Sequence, residues 1–172
     1  VTVDYLDSFW RPLLADLDFI SDDLGLEYRV IVNVRALHID ELDTTTYDST
    51  SGWLEADGVI ESASLTRLTA DVETILADPN SDHIAGWYIA DEPRPKESEP
   101  GYSPSQLQEI RDAIEAGEAN AGASNLKIYM ADIRHEYIPS PTTDCCWEPI
   151  NDYDSWPVDV LLLAPMFQAP RN

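Results

Sequence analysis

Lysine is nearly missing from this chain: it occurs only as Lys96 and Lys127, and 10 basic residues face 33 acidic ones for a formal charge of -23. Phosphate binding needs clustered Lys and Arg, so the balance argues against a nucleic-acid partner. Cysteine is as scarce. Cys145 and Cys146 are neighbours, which strains a disulfide between them and gives neither a disulfide framework nor the CxxC spacing of a metal site. There is no apolar run of about 18 residues, so no membrane span is expected; the longest block, "VLLLAPMF", has the length of a strand. No Gly-rich phosphate loop follows any strand-like run, which leaves a nucleotide-binding site without support. "HEY" at 135–137 has Pro139 where a zinc-protease helix needs its second His, and "HIDELD" at 38–43 matches no EF-hand, leaving a solvated acidic loop. Neither a metal nor an organic cofactor is expected.

What is present suits one globular domain over 1–172, with 44% hydrophobic residues to form a sizeable core. The chain opens at Val1 and stops just after an apolar run, and so reads as a piece of something longer, in which a signal peptide could not be seen. The acidic, Lys-poor composition resembles proteins of salt-loving organisms, where screening relieves self-repulsion; an ordinary acidic secreted protein is the alternative.

Periodicity divides the chain into alternating elements. Phe9, Leu13, Leu14, Leu17 and Ile20 recur at helical spacing, with Pro12 in the first turn and Gly25 as a stop. "YRVIVNVRAL" is β-branched and strand-like, and a polar loop from His38 to Asp57 follows. Leu65, Leu68, Val72, Ile75 and Leu76 mark a second helix, ended by "DPNSD". "HIAGWYIADEP" is the next strand, which Pro93 and Pro95 cannot continue. "SPSQLQEIRDAIEAGEANAG" is a helix with Ser103 as N-cap, Pro104 at its first position and Gly122 past its end. "LKIYMAD" and "VDVLLLAPMF" are two further strands, separated by a Pro-rich irregular crossover.

This order predicts an α/β fold with parallel strands joined by right-handed crossovers. Two architectures fit, a (β/α)8 TIM barrel and an open parallel α/β sheet. Polar residues gather where strands end: Asn33 and Arg35, Asp91 and Glu92, Asp132 with Arg134 and His135, and Gln168. A barrel collects such ends at a single mouth where active sites lie, which favours the barrel, although an open sheet also binds at strand ends.

"GWYIADEP" resembles the fourth strand of clan A glycoside hydrolases, (β/α)8 enzymes in which that strand ends in Asn-Glu-Pro or a similar tripeptide. The resemblance implies that Glu92 is the proton donor, with Pro93 matching the Pro that commonly follows. Asp91 stands where most of the clan has Asn, a departure that points to a looser set of glycosidase-like barrels. In this register the chain covers about the third to sixth strands of an incomplete barrel, and the family's nucleophile, a strand-seven Glu, falls beyond Asn172. The expected function is hydrolysis of O-glycosyl bonds in a poly- or oligosaccharide by acid/base catalysis, retaining where that strand-seven Glu exists. It is expected of the full-length parent, with this chain alone inactive and an extracellular or secreted location. The alternative is a non-catalytic carbohydrate-binding or scaffold barrel.

A glycosidase acid must keep its proton near neutrality, which burial beside apolar groups favours; Trp87, Tyr88 and Ile89 precede Glu92 in sequence, and Asp91 adds a repulsive charge. Neighbouring strand residues face opposite sides, so one of the two carboxylates is structural or loop-oriented in regular geometry. The bland reading is that the pair caps a helix or binds an Arg. Asn33, Arg35, His38, Asp91, Asp132, Arg134, His135 and Gln168 are candidate substrate-binding residues, each otherwise a solvated polar side chain. Trp147, like Trp53 and Trp156, offers a flat aromatic face for a sugar, or packs its loop down.

Overall fold

The computed structural model describes residues 9–34, 60, 62–91, 102–123, 125–134 and 156–165, with the backbone path only at 91, 132–134 and 163–165. Within these the order is α1 (Arg11–Leu24), β1 (Val30–Asn33), α2 (Ser62–Leu76), a short 3-10 turn (Ser81–His83), β2 (Ile84–Asp91), α3 (Pro104–Ala121), β3 (Lys127–Arg134) and β4 (Val160–Pro165).

Helix ends fall where local chemistry puts them. Gly25 ends α1 at φ 63°, a left-handed conformation that costs a residue without Cβ little. Ser103 and Gln106 form a reciprocal capping box at the start of α3, where Ser103 Oγ accepts from the Gln106 amide and Gln106 Oε1 accepts from the Ser103 amide. Pro104 occupies the first helical position, and Gly122, at φ 74°, closes the last turn with its N–H on Ala119.

The four strands lie in the order β1-β2-β3-β4, every neighbouring pair parallel. This is an open parallel α/β sheet, with β1 and β4 at its edges among the described residues; closure into a barrel is not seen. The core lies between the sheet and the helices. Leu14 of α1, Leu68, Val72 and Ile75 of α2, and Leu107, Ile110 and Ile114 of α3 pack against Val32, Ile84, Trp87, Ile128 and Met130 of the strands. Residues in alternate strand positions show the opposite environment: Ile31 is 42% and Leu162 43% exposed, while Val32 and Met130 are wholly buried.

Two glycines allow close approach. A Cβ on Gly86 would stand 2.2 Å from the Lys127 carbonyl oxygen, and one on Gly117 would stand 2.6 Å from that of Thr69 and 2.7 Å from Val72 Cβ. Gly117 thus lets α3 lie directly against α2, where Thr69 Oγ1 also donates to the Ala113 carbonyl at 3.0 Å.

The sequence reading misjudged β3 and β2 in detail. β3 runs to Arg134, two residues past the end of "LKIYMAD", so Arg134 is a strand residue rather than one past its end, because β4 continues the ladder through Ile133↔Ala164 and Arg134↔Pro165. β2 is irregular between Tyr88 and Ala90, and Ile89 and Ala90 are both buried. Strict alternation therefore fails just before the two carboxylates: Asp91 falls in the register row of Ala131 and Leu162.

Candidate functional site

Parallel strands put all their carboxyl ends on one edge, and this edge is the candidate site. β2 is an inner strand, flanked by β1 and β3, and Asp91 ends it alongside β3, beyond the last residue of β1. It pairs with Ala131, one residue before Asp132, and strands in register lie about 4.8 Å apart. Asn33 ends β1 at the level of Tyr88, three residues back along β2, and is exposed there. The edge thus carries Asp91 and Asp132 on adjacent strands, Arg134 two residues further along β3, and Asn33 set back from them. Glu92, Arg35, His38, His135, Trp147 and Gln168 lie outside the described residues, as do Cys145 and Cys146.

Trp87, which precedes the Asp91-Glu92 pair in sequence, is tied to α3. It lies wholly buried on the helix side of β2, and its indole N–H donates to Glu118 Oε1 of α3 at 2.8 Å.

Sequence reasoning missed the titratable groups that the fold buries. Glu118 is 3% exposed; burial raises its carboxyl above the usual range, opposed by the hydrogen bonds from Trp87 and from the main chain at Asn125 and Leu126. Asn125, at φ 66°, takes the left-handed conformation that Asn tolerates better than most residues, which turns the loop back onto that carboxylate. The signal was in the spacing: Leu107, Ile110 and Ile114 set an apolar stripe that reaches Glu118 four residues later.

Glu118 borders a cavity of about 290 Å³ lined also by Arg111, Glu115, Asn125, Lys127 and Asp159. This cavity lies where β3 begins, at the edge opposite the strand carboxyl ends. Its polar groups are largely engaged in holding the fold: Arg111 binds Glu115 Oε1 at 2.7 Å and the Pro157 carbonyl at 3.2 Å, and Asp159 Oδ2 accepts the Ile128 amide at 2.9 Å.

Among the described residues no three His, Cys, Asp or Glu side chains gather into a metal-binding group, and no helix is long and apolar enough to cross a membrane. The chain matches no protein-family model, no curated protein and no solved structure.

Proposed function

We propose that the chain is the central part of a glycoside hydrolase-like (β/α)8 barrel, acting on O-glycosyl bonds of a poly- or oligosaccharide with Glu92 as general acid/base. One observation carries the reading: Asp91, with Glu92 next in sequence, ends an inner parallel strand at the edge that also receives Asn33, Asp132 and Arg134. The strand order supports the barrel. Among the described strands it runs one way, as consecutive strands of a barrel do.

In this reading Glu92 protonates the departing glycosidic oxygen, and Asp91, the residue before it, opposes loss of that proton. Asn33, Asp132, Arg134, Arg35, His38, His135, Trp147 and Gln168 position sugar hydroxyls. Retention requires a second carboxyl about 5 to 5.5 Å from the first, and inversion a wider gap that admits water.

The test is Glu92→Ala in the intact protein, assayed on an oligosaccharide and on an aryl glycoside with an activated leaving group. Loss of an acid slows the poor leaving group by about 10²- to 10⁴-fold and spares the activated one. Equal loss on both removes the acid role. Calorimetric binding of oligosaccharides without turnover by the intact wild-type protein assigns the chain to a carbohydrate-binding barrel instead.

A further inference from the structure

The second half of α1 has little to hold it. Trp10 and Leu14 are buried and Leu17 is half-buried, but from Asp18 to Arg29 every residue except Ser21 is exposed, Phe19 at 70% and Leu24 at 56%. Arg11 secures the start of the helix to Asp78 at 3.7 Å. His83, a buried ring in the 3-10 turn before β2, reaches Asp18 near the middle of the helix and Tyr28 in the connection to β1. Its Nδ1 lies 2.8 Å from the Tyr28 carbonyl oxygen and its Nε2 lies 3.5 Å from Asp18 Oδ1.

The two partners fix the ring's chemistry. A carbonyl oxygen can only accept, so Nδ1 must carry a hydrogen. A neutral imidazole has one N–H, which leaves Nε2 as a bare lone pair directed at the Asp18 carboxylate. Only the imidazolium donates to both. We propose that His83 is a pH-operated clamp, which joins α1 to the strand β1 connection through Asp18 when the ring is protonated and releases Asp18 when it is neutral.

The surrounding charges act in the same direction. Asp18 from α1 and Asp82 from the 3-10 turn both favour the cation, and the bond to Tyr28 is the largest contribution to a ring affinity for protons above the ordinary one, against desolvation. In the connection itself Glu27 and Arg29 bind each other. A folded-state pKa above the unfolded value of about 6.5 means that the clamp is complete below about 6.5 and is lost as pH rises through the raised value.

The experiment is amide hydrogen exchange of residues 18–28 in the full chain between about pH 5 and 8, corrected for intrinsic rates, with 15N NMR of the His83 ring. Wild type should show about two- to five-fold more protection at the acidic end, the range an exposed ion pair supplies. Asp18→Asn, a substitution at an exposed helix position, should remove the step while the protection of β2 stays unchanged. The neutral ring should carry its hydrogen on Nδ1. A neutral ring protonated on Nε2, or the same pH step in wild type and Asp18→Asn, overturns the clamp.

Discussion

Trp87, at the centre of the sheet, gives its indole N–H to the buried carboxylate of Glu118 on α3, 2.8 Å away. Two residues 31 apart in sequence thereby tie helix to strand from inside the core, where an unmade hydrogen bond is expensive. The same carboxylate takes main-chain bonds from Asn125 and Leu126, so it also sets the path of the chain into β3.

Glu118→Ala should therefore destabilise the fold by about 2–4 kcal/mol, because it strands one indole and two main-chain donors and opens a cavity. Trp87→Phe keeps most of the ring and leaves Glu118 its main-chain donors, and should cost about 1–2 kcal/mol. Denaturant titration at constant m-value measures both. A Glu118→Ala change under about 0.5 kcal/mol would show that the carboxylate is spectator to the packing.

Glu118 also gives stability a pH slope of defined sign. Burial raises its carboxyl in the folded protein, so above the unfolded value of about 4.3 the native state holds more protons than the unfolded chain. Stability contributed through this group is therefore present at low pH and falls as pH rises through the raised value. Glu118→Gln removes that titration. Plotted against pH, the stability of wild type minus that of Glu118→Gln should decline from about pH 4 upward, and a level difference contradicts the burial cost.

The two crowded glycines predict opposite kinds of failure from ordinary surface glycines. Gly117→Ala drives a Cβ into Thr69 and Val72 and should push α3 off α2, at about 1–3 kcal/mol. Gly86→Ala meets a main-chain oxygen of the neighbouring strand, which cannot rotate away, and should cost at least as much. Gly25→Ala meets nothing within 4 Å and is strained only by its φ of 63°, so it should cost about 1 kcal/mol. Thermal midpoints of the three variants test the ranking.

How much was legible follows from what kind of signal each feature leaves. Helix ends were readable because Ser103, Pro104, Gly122 and Gly25 act locally, and α3 begins and stops where they require. The parallel sheet was readable from the alternation of elements. The length of β3 was not, since Ile133 and Arg134 join the ladder only because β4 lies alongside. Nor was the phase of Asp91: the irregularity after Tyr88 arises from pairing with β3 and leaves no mark in "GWYIAD". The Trp87–Glu118 bond was not legible either. The two residues are remote in sequence, and only the packing of α3 on the sheet brings them together. At the site, residue types at strand ends pointed to an edge, and the sheet does bring Asn33, Asp91 and Asp132 to that edge, with Asn33 set back.

The acidic surface sets the last expectation. Asp16, Asp18, Asp22 and Asp23 on α1 and Glu109, Asp112 and Glu115 on α3 are all exposed, within a chain of net charge -23. Arg111 relieves Glu115, yet most of this charge faces water beside charge of its own sign. Like-charge repulsion reaches about 10 Å at 0.1 M salt and about 3 Å at 1 M. Raising NaCl over that interval should therefore raise the thermal midpoint by several degrees, levelling off once neighbouring carboxylates are screened. Neutralising Asp16, Asp22 and Asp23 together as Asn should shrink the rise, since the variant starts with less repulsion to screen. A midpoint that climbs equally in both proteins would trace to the general effect of salt on apolar burial rather than to charge.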